Sequence, residues 1–161
     1  MNNNNILENI TFRKLNENDK ELFVNLRIIF LEDRFILDDN EKEEIKNNLE
    51  IYFDKHICKN DFIGIIGEYN GKIVSVAYLI IYDKPANLNN LYGKIGTLIN
   101  VYTFPEYRKM GIAKRLVENI INEAKNIGIK YFDLLASESG YKIYENIGFK
   151  ESIDKFMYLK I

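Results

Sequence analysis

The residues with the most evident chemical use form one short run. Arg108-Lys109-Met110-Gly111-Ile112-Ala113 is followed by Lys114 and Arg115, so cations surround a glycine and a small residue. Such a run suits an anion. If a helix begins there, its first N–H groups lack intrahelical partners and carry partial positive charge, which is what a pyrophosphate requires. Gly111 lets a ligand approach the backbone, and Ala113 adds little bulk. The run is too short for a Walker loop and lacks its Lys-Ser or Lys-Thr pair; it also has too few glycines for a dinucleotide fingerprint. An ordinary strand-to-helix turn with a basic surface accounts for the same residues. Both readings stay open on the run alone.

Metal and thiol chemistry have little to work with. His56 is the only histidine and Cys58 the only cysteine. Together they cannot complete a four-ligand zinc site, and no intramolecular disulfide can form. Both are expected near the end of a helix, and no metal is expected.

The elements that must position the basic run follow from hydrophobic period. Residues 10–15 alternate as a short strand, and Asn16 to Asp19 can start a helix. Leu22, Phe23, Leu26, Ile29 and Phe30 recur at helical spacing, as do Ile45, Leu49, Tyr52 and Phe53. The charges at 41–44 read as the solvated first turn of the second helix. Residues 62–69 and 72–82 read as strands joined by Asn70-Gly71, a type I′ hairpin signal. Residues 83–90 form a loop with Pro85, and a strand over 92–103 contains Gly93 and Gly96 and is closed by Pro105. Ile112, Leu116, Val117, Ile120, Ile121, Ala124 and Ile127 share a face of the longest helix, capped by Gly128. A buried-type strand over 131–136, a short helix over 139–147 closed by Gly148, and one or two strands over 149–160 complete the chain. The order β-α-α-β-β-β-α-β-α-β predicts an α/β (α+β) domain: a mixed, twisted sheet with helices on both faces.

Composition agrees with one domain over residues 1–161. The chain is 47% hydrophobic and 29% charged, with a net charge of -2. That argues against a nucleic-acid partner, which needs a clustered basic face. No apolar run is long enough to span a bilayer, so no membrane partner is expected. The asparagine-rich start lacks the features of a signal peptide, and its first residues are expected to fray. A cytoplasmic location fits a single cysteine.

Arg108-x-x-Gly111-x-Ala113 resembles the coenzyme A loop of the GCN5-related N-acetyltransferase (GNAT) superfamily, (Arg/Gln)-x-x-Gly-x-(Gly/Ala). Ile143-Tyr144-Glu145-Asn146-Ile147-Gly148-Phe149 resembles that family's C-terminal Leu-Tyr-x-x-x-Gly-Phe signature. One helix and one strand separate the motifs, as in the family, and the resemblance covers residues 96–150. It implies the GNAT acyl-CoA N-acyltransferase fold and acetyl-CoA as co-substrate. The strands on either side of the long helix would splay apart around the pantetheine arm. The backbone of Asn100, Val101 and Tyr102 would pair with that arm, and an amide there would polarise the thioester carbonyl. Arg108 would add charge, while the amides of Lys109, Met110, Gly111, Ile112, Ala113 and Lys114 would hold the pyrophosphate. Tyr144 would stand beside the sulfur as general acid or pack against pantetheine; the acid role is favoured.

The sequence departs from the family pattern in three places. The family often has asparagine seven residues before the tyrosine; Ser137 stands here, able to hold the cofactor arm or to cap the following helix. Gly140 replaces the family's usual alanine. The strand before the loop has Leu98, Ile99 and Asn100 and no carboxylate. Glu32, Asp33, Tyr78, Tyr82 and Glu138 are candidate bases elsewhere, and none is assigned. The resemblance places the acceptor near residues 30–40 and 82–91. Glu32, Asp33, Asp38 and Asp39 can attract a cationic amine or stand as helix-end charges. A small-molecule amine acceptor is expected, with a protein or peptide acceptor or a non-catalytic acyl-CoA sensor as alternatives; a homodimer is left open.

Overall fold

The computed structural model describes residues 3–161, with side chains from Ile6 onward. In chain order the elements are α1 (Asn3–Glu8), β1 (Thr11–Lys14), α2 (Lys20–Glu32), α3 (Asp39–His56), β2 (Phe62–Tyr69), β3 (Lys72–Asp83), β4 (Lys94–Thr103), α4 (Ile112–Asn126), β5 (Phe132–Leu134) and α5 (Tyr141–Ile147). The strands form one five-stranded sheet in chain order. The first three pairings are antiparallel, and β4 pairs with β5 in parallel. That last pairing needs a crossover, which α4 supplies.

Local sequence explains most of these elements. Asn70 and Gly71 both take positive φ, 49° and 73°, as a type I′ turn requires. Asp38 accepts from the Glu41 N–H while the Glu41 side chain accepts from the Asp38 N–H, a reciprocal cap that starts α3 just before the charges at 41–44. Asn16 caps a short 3-10 turn, Glu17–Asp19, that leads into α2. α4 buries Ile112, Leu116, Val117, Ile120, Ile121 and Ala124. Ile127, expected on that face, is 42% exposed because the helix ends before it. Gly128, at φ 88°, turns the chain so that the Ile129 N–H reaches the Ala124 carbonyl.

Two apolar layers sandwich the sheet. Phe23, Phe53, Phe62, Tyr78 and Tyr102 gather under α2 and α3 on one face. Leu79, Ile81, Leu98 and the buried side of α4 fill the other. Helices on both faces of a mixed sheet are the expected class.

An ion pair ties β1 to α2. Arg13 donates to both Asp19 carboxylate oxygens at 2.8 and 3.0 Å, and Asp19 also accepts from the Asn16 N–H. Arg13 holds the Asp19 carboxyl below its ordinary range, against an opposing effect of burial. A depressed acid contributes stability above its unfolded value of ~3.9 and loses it as pH falls through the folded value. Asp19→Asn is expected to cost about 2 kcal/mol at neutral pH. Urea unfolding followed against pH should show the variant losing this disadvantage below about pH 4.

Three differences from the sequence expectations stand out. The fraying expected at the start lies outside the described residues for Met1 and Asn2; from Asn3 the chain is helical, and Ile6 and Leu7 pack toward Ile10, Val74 and Ile112. Gly93 lies in the loop before β4 and not within it. The strands expected over 149–160 do not form: no element follows α5 among the described residues, and Ile153, Phe156, Met157, Tyr158 and Leu159 are exposed. Their apolar character suits a strand, yet a strand needs a neighbouring edge to ladder with. The segment pairs with none, and the nearest strand in sequence, β5, is three residues long.

Candidate active site

β4 is paired along most of its length with β3, but with β5 only at Gly96, Thr97 and Leu98. It then continues to Thr103 with no partner on that edge among the described residues. The gap therefore opens at the C-terminal ends of two parallel strands. The β3 register slips in the same stretch. Val76 faces Tyr102 and Tyr78 faces Ile99, so Asn100 and Val101 together oppose Ala77. This is a β-bulge, which re-aims the backbone beside the gap. Asn100 sits in it at φ 55°, a conformation asparagine tolerates better than most residues. Its side chain is buried: Oδ1 accepts from Arg27 Nη1 at 3.1 Å, and Nδ2 has no partner among the described residues. Val101 lies against the α4-side layer, while Tyr102 turns into the opposite one.

The chain leaves β4 through a 3-10 turn, Pro105–Tyr107, and enters the basic run. Arg108 does not reach toward the start of α4. Its Nε donates to the Thr103 carbonyl at 2.9 Å, its Nη2 lies 3.3 Å from Asp33, and its guanidinium stacks 5.3 Å from the Tyr102 ring. Arg108 thus fastens the end of β4 to the end of α2. Lys109 and Gly111 take left-handed conformations, at φ 63° and 80°. Met110 and Ile112 anchor the turn in a small apolar cluster with Ile10 and Val74. α4 has no side-chain cap, and its first backbone bond is from Arg115 to Gly111. The N–H groups from Lys109 to Lys114 donate to no backbone acceptor among the described residues. Lys109, Lys114 and Arg115 are exposed around them. A cβ added at Gly111 would approach Leu7 of α1, so glycine is required there chiefly by its backbone angle.

Across the gap, α5 carries Tyr144. Its ring packs against Phe149 at 6.0 Å and borders the layer that Val101 and Leu134 also touch. The hydroxyl makes no hydrogen bond within the described residues. Burial pushes the phenol above its ordinary pKa, and the charge of Arg34 partly offsets this. Ser137 accepts from the Gly140 N–H at 3.2 Å and lies 3.2 Å from Ser139 Oγ, so it caps the turn into α5. It also lines a shallow depression of about 320 Å3 with Glu138 and Tyr141.

Most of the candidate bases are committed elsewhere. Glu32 pairs with Lys42, and Asp33 with Arg108. Tyr78 is 1% exposed and donates to the Phe23 carbonyl, and burial drives its pKa up. The Tyr82 hydroxyl lies 3.3 Å from Thr97 Oγ1, and Glu138 is exposed. Asp38 caps α3. His56 stacks on Tyr52 at the end of α3 and bonds Asp61, and Cys58 donates to Glu17 just beyond. Among the described residues no cluster of three metal-ligating side chains occurs, and no helix is long and apolar enough to cross a membrane.

Sequence reasoning passed over three residues. Asp133 on β5 faces Thr97 on β4 and accepts its hydroxyl proton at 2.5 Å. Phe132 and Leu134 point to the α4 layer, so Asp133 points to the α2–α3 face. A charge inside an otherwise apolar strand was the available signal. Arg27 and Arg34 lie on α2 and just beyond it; a tertiary hydrogen bond ties Arg27 to Asn100, and the charge of Arg34 acts on the Tyr144 phenol.

The profile of the acetyltransferase (GNAT) family matches residues 25–149. A predicted acetyltransferase from Clostridium acetobutylicum, solved with acetyl-CoA, is 30% identical, with a TM-score of 0.84 over 94% of this chain and 96% of that one. A GCN5-related N-acetyltransferase from Ralstonia eutropha JMP134 is 20% identical, with a TM-score of 0.80 over 93% and 98%. Glucosamine-6-phosphate N-acetyltransferase from Arabidopsis thaliana is 23% identical, with a TM-score of 0.68 over 94% and 99%. The last two establish similarity of fold alone. A comparison with curated proteins finds no match. With a splayed β4–β5 pair, an uncapped helix start and a matching profile over most of its length, the chain belongs to the GNAT acetyltransferase family.

Proposed function

We propose that this protein transfers the acetyl group of acetyl-CoA to the amine of a small or amino-acid-like acceptor by direct attack. One observation carries the reading. The partnerless edge of β4, the unpaired N–H groups at the start of α4 and the free hydroxyl of Tyr144 all border the same end of the β4–β5 pair.

The residues present fit the donor. The N–H groups from Lys109 to Lys114 form a cradle for a pyrophosphate, and Lys109, Lys114 and Arg115 supply charge. Arg108 serves this cradle indirectly, by fixing the strand end from which it starts. The bulge at Asn100 and Val101 presents backbone to the pantetheine arm and an amide to the thioester oxygen. Ser137 borders the same gap but is occupied as a cap. Acetyl-CoA supplies the activated acetyl thioester.

Two proton transfers fall to side chains. Tyr144, held protonated by burial, gives its proton to the departing thiolate. Asp133 takes the amine proton through water; its Oδ1 accepts from Thr97, and its Oδ2 has no hydrogen bond among the described residues. Asp133→Asn should lower kcat by about 100-fold, leave the KM for acetyl-CoA unchanged, and recover rate as pH rises. A variant with the wild-type pH profile would remove Asp133 from the reaction.

Release of free thiol from acetyl-CoA over an amine panel, with product mass identified, tests the function. Turnover on small amines supports it. Binding without turnover on any acceptor would make the chain an acyl-CoA sensor, and turnover confined to peptide N-termini would replace the acceptor class.

A further inference from the structure

Arg27, Phe30 and Arg34 lie at i, i+3 and i+7, the spacing of one helical face. The Phe30 ring stands 5.4 Å from the Arg27 guanidinium and 5.5 Å from that of Arg34. Arg27 donates to Asn100, the bulge residue, and Arg34 acts on the Tyr144 phenol. Two cations therefore share the Phe30 ring, and one of them, Arg27, reaches the bulge of the transfer site.

Neither has an acidic partner. No carboxylate lies within ion-pair distance of Arg27 or Arg34 among the described residues. The nearest acids in sequence, Glu32 and Asp33, are taken by Lys42 and Arg108. Arg27 is half-buried, with one neutral hydrogen bond and the face of Phe30 as its surroundings. A desolvated guanidinium with spare donors is costly unless an anion completes it. Its planar fork matches a carboxylate or phosphate. Arg27 also lines a cleft of about 580 Å3 between α2 and α3, with Leu31, Ile45, Leu49 and Tyr52. Glu41 and Glu44 stand on the α3 side of that cleft, and Glu41 is engaged in capping Asp38.

We infer that the acceptor carries an anionic group, a carboxylate or a phosphate, which Arg27 and Arg34 hold while its amine faces the bulge. This rests on the acetyltransferase reading and narrows its acceptor. It reverses the attraction of a polycationic amine that the acidic residues at 32, 33, 38 and 39 suggest from sequence, because three of them are committed elsewhere.

Thiol release is measured for matched acceptors: leucine against leucinamide, phosphoethanolamine against ethylamine, and spermidine as the polycation. The anionic member of at least one pair should exceed its neutral partner by about tenfold or more in kcat/KM. The leucine and phosphoethanolamine arms separate carboxylate from phosphate. In Arg27→Gln and Arg34→Gln that ratio should collapse through acceptor KM, with the KM for acetyl-CoA unchanged in Arg34→Gln; Arg27→Lys should restore part of it. Arg34 is exposed, so its variant folds even if Arg27→Gln does not. Equal or better turnover of ethylamine, leucinamide or spermidine would overturn the inference and leave the acetyltransferase intact. Acetyl-CoA binding with no turnover on any acceptor would overturn both.

Discussion

Gly111→Val is expected to abolish acetyl-CoA binding while leaving the fold intact. Gly111 holds φ 80° at the entry to α4, and a β-branched residue there is a steric outlier. The strain costs about 1–2 kcal/mol, which the chain relieves by rotating the peptides on either side. Those peptides are the ones whose N–H groups would face the pyrophosphate. Valine also brings methyl groups toward Leu7, against which the turn already rests. Binding measured by calorimetry should fall by at least about 100-fold, or nearly 3 kcal/mol. Gly128→Val is the matched control. Gly128 has φ 88° and open space around its missing side chain, at the far end of the same helix. It should lose comparable stability and keep the affinity. Retained affinity in Gly111→Val would refute the loop's role; equal losses in both variants would assign the effect to stability alone.

Tyr144→Phe should reduce kcat by about 100-fold and leave donor binding nearly unchanged. The ring keeps its contacts with Phe149 and the α4-side layer, so only the hydroxyl is lost. The pH profile separates chemistry from packing. Burial raises the phenol's pKa and Arg34 lowers it in part, so the hydroxyl stays protonated across the neutral range. On the alkaline side, wild-type activity should fall only above the ordinary phenol range, where the raised phenol ionises. Tyr144→Phe should lack that limb, and removing the Arg34 charge should move it further up. A phenylalanine variant with an unchanged rate at every pH would show that Tyr144 only packs.

Local chemistry made much of the framework readable. The period change near Phe62, the Asn70-Gly71 turn and the charged first turn at 41–44 each act through neighbours in sequence, and each appears in the structure. The basic run led correctly to an uncapped helix start, although Arg108 proved to brace the strand and Gly111 to be needed for its backbone angle. The rest depends on contacts distant in sequence. Nothing near Asn100 announces a bulge; it follows from how β3 and β4 fall into register. Asp133 has no visible role until a strand pairing sets it beside Thr97. The same holds in reverse for 149–160, where strand-forming residues find no edge to join.

Amide NMR with and without acetyl-CoA tests the central claim most directly. The account predicts shifts concentrated at two places, the N–H groups of Lys109 to Lys114 and the β4 edge around Asn100 to Tyr102, with the former also responding to inorganic pyrophosphate. Donor binding that leaves both segments unchanged would contradict it.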